Sequence, residues 1–242
     1  SGGAYDVENL ASHKFDEETS MAYEVGSKNR FLGNKLQING ALFLTAYKGM
    51  QVQMWKRINE EDEDEDPIMF IANAGNINTY GAELESTWLI TSKDRVNASI
   101  SSMHGKYHDL VIKYDNPAWA GGGSNPPVDL EGVSMANMPK LTLQLGYTRN
   151  IDLAEYGSIS ATLDSTYKTK YYNTIEISND GSLVPNHRIS NFYLNWTSPK
   201  GMWSASANVK NIENKAVAVR AAQRNVSLNS PRTYSTSLTV KF

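Results

Sequence analysis

Hydrophobic and polar residues alternate one for one along most of the chain, which is the period of a β-strand with two unlike faces. The closing segment Thr233–Phe242 shows it most clearly. Tyr234, Thr236, Leu238, Val240 and Phe242 share one side, and Thr233, Ser235, Ser237, Thr239 and Lys241 share the other. Eight further runs carry the same signal, at about 21–31, 35–57, 68–91, 94–108, 140–150, 157–172, 188–198 and 202–211. In the second run Leu36, Ile38, Leu42, Leu44, Met50, Val52 and Met54 keep one parity, which predicts a single register for some twenty residues. Between Asn73 and Thr79 the pattern blurs. Later runs are cleaner: Leu141, Leu143, Leu145 and Tyr147 oppose Thr142, Gln144 and Thr148, while Phe192, Leu194 and Trp196 oppose Asn191, Asn195 and Thr197. The runs are longer than the roughly 5–6 residues usual in globular sheets.

Alternation alone also fits a large soluble sandwich or barrel. The connections discriminate. Leu32–Asn34, Ser92–Lys93, Ile151–Tyr156 and Ser198–Gly201 are short, and they alternate with the longer Ile58–Pro67, Asp109–Pro139, Asn173–His187 and Ile212–Arg232. Transmembrane barrels have short periplasmic turns and long extracellular loops. On that orientation Phe31, Trp88, Tyr147, Trp196, Trp203 and Phe242 fall on the outward parity near the short turns, as an interfacial girdle would. Tyr107, Tyr167, Tyr171 and Tyr234 lie toward the other end. The expected fold is all-β, an antiparallel transmembrane β-barrel in the bacterial outer membrane. Nine strands is an odd number, whereas single-chain bacterial barrels are even, so the barrel is expected to be incomplete here.

Composition agrees with this reading. The mean hydropathy is -0.47, and no run approaches the ~18 apolar residues of a membrane helix. A strand barrel escapes that measure because every second residue faces water. The absence of cysteine excludes disulfides and thiolate metal sites, and the net charge of -3 leaves no basic footprint for nucleic acid. No signal peptide precedes Ser1, which in an exported protein implies that it was removed or that the chain begins partway along a longer one.

Three clusters could suggest chemistry. Glu60–Asp66 places seven acids in one long connection, but it lacks the glycine and spaced neutral ligands of a calcium loop and reads first as a solvated charge block. His104 and His108 are four apart, about 13 Å on a strand and too far to share one metal ion. Glu83 and Glu85 lie two apart on the inward parity with no further catalytic partner, so no enzymatic activity, cofactor or metal is expected. They read as residues that line a watery interior or bond to a plug.

The segment MAYEVGSKNRFLGNKLQINGALFLTAYKGMQVQ (Met21–Gln53) resembles a characteristic stretch of TonB-dependent outer-membrane receptors, with a Y-E-x-G strand, a short turn and an A-L-F…Y-K…Q-V strand in this order. NAGNINTYGAELE (Asn73–Glu85) looks like their N-A-G…G-x-E-L-E strand, and VKNIENKA and SPRTYSTSLTVKF look like their closing strands. The resemblance implies a 22-stranded barrel plugged by an N-terminal domain. This chain would hold about the last nine strands in residues 20–242, without the plug, and residues 1–19 would be a loop tail leading into the barrel.

What the resemblance implies for function is energised import. A scarce ligand, most often a ferric siderophore and otherwise a carbohydrate or cobalamin, binds from outside, and the TonB complex acts through the plug to release it into the periplasm. The remaining strands, the plug and lipopolysaccharide or other outer-membrane lipid would be the other partners. A passive porin-like channel and a soluble carbohydrate-binding β-protein are the competing readings. For capture of a small anionic ligand, His187, Arg188, Arg220 and Arg224 stand out by position and charge, and Trp119 offers a stacking surface.

Overall fold

The computed structural model describes residues 15–56, 68–73, 75–112, 128–174, 183–222 and 225–241. The chain opens with β1 (Thr19–Phe31) and β2 (Leu36–Lys48), followed by a small ladder of β3 (Gln51–Lys56) and β4 (Ile68–Asn73). It continues with β5 (Asn76–Leu89), β6 (Asp94–His108) and a second ladder, β7 (Val111–Ile112) with β8 (Val128–Asp129). Next come β9 (Leu141–Asp152), β10 (Ser158–Lys168) and a third ladder, β11 (Tyr171–Tyr172) with β12 (Leu183–Val184). After β13 (His187–Thr197) and β14 (Trp203–Lys210), a fourth ladder of β15 (Ala218–Ala222) and β16 (Asn225–Leu228) precedes β17 (Thr233–Val240).

The nine strands read from the sequence form one sheet in the order β1-β2-β5-β6-β9-β10-β13-β14-β17. Every main strand thus lies beside the next one in the chain, the up-and-down order of a barrel wall. Each long connection carries one of the four small ladders.

Two compact units can be distinguished: Ser1–Tyr23 with Leu44–Tyr80 and Gly105–Met135, and Glu24–Phe43 with Gly81–His104 and Ala136–Phe242. In the second, the register aligns like with like. Val96, Tyr147, Leu163, Phe192, Val209 and Tyr234 face one another in turn across six strands. One residue along, Asn97, Gly146, Asp164 and Asn191 do the same. A period of two on every strand, kept in phase by antiparallel pairing, leaves one apolar and one polar face. The apolar face is the open one: Leu145 is 59% exposed, Leu163 47% and Leu238 65%. In the first unit a small core gathers around Ile77, Tyr107, Leu110 and Leu130.

Three sequence expectations are corrected. The run 35–57 does not keep one register, because it breaks between Lys48 and Gln51 at Gly49, whose φ of 69° turns the backbone out of extended geometry. The run 68–91 divides at Gly75, φ 154°, where the blurred pattern begins. There a Cβ would stand 2.8 Å from Cβ of the fully buried Leu110, so the site requires glycine. The run 157–172 divides at Thr169–Lys170: Oγ1 of Thr169 accepts the amide of Leu141 at 3.0 Å, and the amide of Lys170 donates to Oδ1 of Asn186 at 2.6 Å. Side chains there replace the ladder partner. The proposed division into 1–19 and 20–242 falls partly on residues outside those described; β1 itself begins at Thr19.

Candidate functional site

The inward parity of the second unit forms a hydrogen-bonded polar surface. The Thr148 and Thr162 hydroxyls meet at 3.0 Å, Asn191 Nδ2 donates to Asp164 at 3.0 Å, and Ser101 donates to Glu83 at 3.2 Å. Short hydroxyl and amide side chains opposite one another satisfy each other while leaving lone pairs for a further occupant. One hollow of about 450 Å³ is lined by Glu85, Arg95, Asn97, Gln144 and Thr148, with Asp164 at its side. Another, of about 490 Å³, gathers Glu24, Lys28, Asn39, Glu83 and Glu85. Gly81 belongs to the same face. A Cβ there would lie 2.5 Å from the Ser102 carbonyl oxygen and 2.6 Å from Phe43 Cζ, so the glycine of one motif seats the phenylalanine of another. This surface can hold polar and charged groups by hydrogen bonds.

The outward parity behaves differently. Near the short turns its aromatics tie their polar tips to the turn ends. Trp196 Nε1 donates to the Tyr156 carbonyl at 2.8 Å, and Tyr147 donates to Asp94 at 2.6 Å, where Arg149 also binds at 3.0 Å. An apolar body with a polar tip suits a hydrocarbon–water boundary. Trp88 and Trp203 are 42% and 44% exposed on the same parity, as is Phe31 on β1 at 48%. Tyr147, Trp196 and Trp203 step along their strands as the sheet is crossed. A band that is to stay level on tilted strands must do so. Phe242 lies outside the described residues.

In the first unit the family-like motifs converge on the segment before β1. Asn73 accepts the Asp16 amide at 2.7 Å, and its own amide donates to the carbonyls of Asp16 at 3.0 Å and Gly49 at 2.6 Å. Gln51 Nε2 donates to the same Asp16 carbonyl at 3.1 Å. Glu18 accepts the Tyr47 hydroxyl at 2.5 Å and the Gln51 amide at 2.6 Å. The hydroxyl first, then the amide, hold the Glu18 carboxyl below the ordinary carboxylate range. Nearby, Glu131 accepts the Asp109 amide at 2.7 Å and meets His108 Nδ1 at 3.0 Å. Both contacts keep the Glu131 carboxyl ionised at lower pH than usual.

A comparable staple holds the connection after β14. Beyond Phe192, strand β13 loses its β14 partner, and Glu213 takes over. Its carboxylate accepts the Ser190 amide at 2.8 Å, the Ser190 hydroxyl at 2.6 Å and Arg188 Nε at 3.2 Å. Burial raises the Glu213 pKa, but the Ser190 hydroxyl and amide, with Arg188, outweigh it and leave the carboxyl below its ordinary value. Asn211, φ 53° and buried, closes the turn: its side chain bonds the amide and carbonyl of Lys215 and the carbonyl of Ser230.

Of the sequence-derived capture residues, His187 and Arg188 lie on opposite parities of β13. His187 is on the inward parity but only 8% exposed, with Nδ1 2.9 Å from the Pro185 carbonyl and its ring tilted against Tyr171. Arg188 pairs across the sheet with Tyr167, on the outward parity, and does not face the interior. Arg220 lies in β15, while Trp119, Arg224 and the acidic run 60–66 are outside the described residues. Sequence reasoning did not single out Asn73, Asn211 or Glu213. Each is a polar residue within a family-like motif, but its role depends on partners distant in sequence, which no local pattern reveals.

A family model described as TonB dependent receptor-like, beta-barrel matches residues 2–212. No curated protein sequence matches the chain. Among solved structures it is similar to the ferric yersiniabactin uptake receptor FyuA from Yersinia pestis, at 17% identity and a TM-score of 0.71, with 94% of this chain and 30% of that one covered. It is also similar to the siderophore receptor PiuA from Acinetobacter baumannii, at 20% identity and a TM-score of 0.67, covering 92% and 28%. The ferric-catecholate import receptor Fiu from E. coli K12 aligns at 15% identity and a TM-score of 0.64, covering 100% and 30%. The chain therefore spans less than a third of the length of these receptors. With the family model matching most of its length, and with an apolar outer and a polar inner face, this chain belongs to the TonB-dependent receptor β-barrel family of the outer membrane.

Proposed function

We propose that the chain forms wall and outer loops of a receptor that imports a ferric siderophore across the outer membrane with energy delivered by TonB. In the full assembly the nine strands are the last of 22, and the hydrogen-bonding inner face with its two hollows receives a plug. The carboxylates Glu24, Glu83 and Glu85 and the exposed hydroxyls offer that plug acceptors of a kind an open pore would leave to water. The observation that carries the reading is the family match over residues 2–212. The description of FyuA as a ferric yersiniabactin uptake receptor and of PiuA as a siderophore receptor supports this ligand class. Trp119, Arg220 and Arg224, which fall in the long connections of the sequence, are assigned to the extracellular side and to ligand capture. The buried His187 supports the base of such a loop, and Arg188, on the lipid side, is left out of the capture set.

The test is uptake of radiolabelled ferric siderophores by cells that produce the full-length protein, with and without tonB. Accumulation that disappears without tonB, and weaker binding in R220A and R224A with normal barrel assembly, is the expected outcome. Uptake that persists without tonB would favour a porin-like channel. Competition by an oligosaccharide or cobalamin, with no effect of siderophore, would move the ligand to those classes.

A further inference from the structure

We infer that the passage between plug and wall, along which a released ligand descends, follows the inner face of β9, β10, β13, β14 and β17 and not that of β1, β2 and β5. The inference rests on the reading that a plug fills this wall. It comes from a division of the inner face. On β1 and β5 the inward positions carry Glu24, Lys28, Glu83 and Glu85, which gather with Asn39 and Ala41 around the hollow of about 490 Å³. None of these four charges is ion-paired among the described residues. Along the middle of β9, β10, β13, β14 and β17 the inward positions carry a single charge, Asp164, and Asn191 Nδ2 donates to it at 3.0 Å. Neutral side chains directly opposite one another bond in the same way. The Thr148 and Thr162 hydroxyls meet at 3.0 Å, those of Ser206 and Ser237 meet at 2.8 Å, and Asn208 Nδ2 donates to Ser235 at 3.3 Å.

The two arcs offer a plug different contacts. A wall carboxylate without a wall cation is completed by a partner from the plug, and a charge-assisted hydrogen bond is the stronger kind. A hydroxyl that already bonds its neighbour gains little by exchanging water for protein. The plug is therefore held against the acidic arc, and water stays between it and the neutral one. The neutral arc also suits a solute in transit. Its donors and acceptors recur on every strand, so hydrogen bonds to water are replaced step by step, and no row of fixed charges holds the solute back. The acidic hollow would repel an anionic complex. Gly146 widens the track. The atoms nearest a Cβ there are 3.9 Å away, at Asn97, so packing does not demand glycine, and its missing side chain leaves room in the hollow of about 450 Å³.

Single cysteines are placed in the full-length receptor at Gly146, Ser206 and Ser237 on the neutral arc and at Asn39 and Ala41 on the acidic one. Each is reacted with N-ethylmaleimide and with a short polyethylene-glycol maleimide. Both reagents are uncharged, and the ratio of the bulky to the small rate reports the room beside the thiol while cancelling its acidity. The expected ratio is about tenfold higher on the neutral arc, because the two hollows are similar in size and the plug closes only one. Cells carrying the bulky adduct on S206C should bind ferric siderophore at the surface as before and lose about tenfold of its TonB-dependent uptake. Heat-modifiable mobility reports assembly, and G146C, which removes no hydrogen bond, replaces S206C if that variant does not assemble. Equal ratios on the two arcs, a higher ratio on the acidic arc, or undiminished uptake past the bulky adduct would each overturn the path. Unmodified cells without TonB-dependent uptake would instead defeat the import reading, and the rate ratios would still decide which arc the plug leaves open.

Discussion

The two faces of the same strands are built for different solvents. On the inner face polar side chains pair with each other across the ladder, as Thr148 does with Thr162 and Asp164 with Asn191, and still offer groups to water or a plug. On the outer face Leu145, Leu163 and Leu238 stand open with nothing polar at their tips, because hydrocarbon satisfies them. A soluble protein would hide the second face and wet the first. Here the exposed leucines are the part that is in its proper medium, and burial measured on the chain in water is the wrong guide to where the stabilising surface lies.

A charge placed on each face should break this contrast most sharply. Leu163→Arg puts a guanidinium against lipid near mid-strand, where a cost of about 2–4 kcal/mol is expected. Thr166→Arg, three residues on and at the inner hollow, should cost less than about 1 kcal/mol. Refolding of the full-length protein into vesicles, followed by urea titration, measures both, and equal losses would dissolve the distinction between the faces. A smaller effect is expected at the rim. Glu213→Gln weakens the contacts to Ser190 and Arg188 by about 1 kcal/mol. Because the folded pKa of Glu213 is depressed, its contribution is present above the unfolded value and is lost as pH falls through the folded value. The stability gap between wild type and variant should therefore be full at neutral pH, begin to narrow below the ordinary carboxylate value of about 4.3 and vanish only below the lower folded value. A gap that widens in acid would contradict the carboxylate staple. The smallest change is on the inner face, where Thr148→Val should cost roughly 0.5 kcal/mol. The double change with Thr162→Val should be less than additive, because the two hydroxyls serve one another.

The wall was legible in the sequence because its cause is local: a period of two on each strand and a short turn between partners fix both neighbour and facing. Thr233–Val240 and Leu141–Asp152 appear almost as the alternation draws them. The break at Gly49 was not legible, because alternation continues across it and only a turned glycine diverts the backbone. At Gly75 the pattern already blurs, and the close approach of Leu110 is the physical reason. The capture residues were legible as charge but not as direction. Arg188 looks like a ligand cation until register with Tyr167 puts it outside, since one residue along a strand exchanges lumen for lipid. Glu213 was hidden for a related reason. Its role is to stand in for a missing strand, which no local pattern announces.

The small ladders in the four long connections have an evolutionary consequence. Each pairs its own amides, so the wall does not depend on what the chain does beyond a ladder's last rung. Selection can then lengthen, shorten or exchange the tips between Lys56 and Ile68 or between Ala222 and Asn225 without renegotiating the register of the main strands. A lineage can revise its outer surface piecemeal while inheriting the same strand frame.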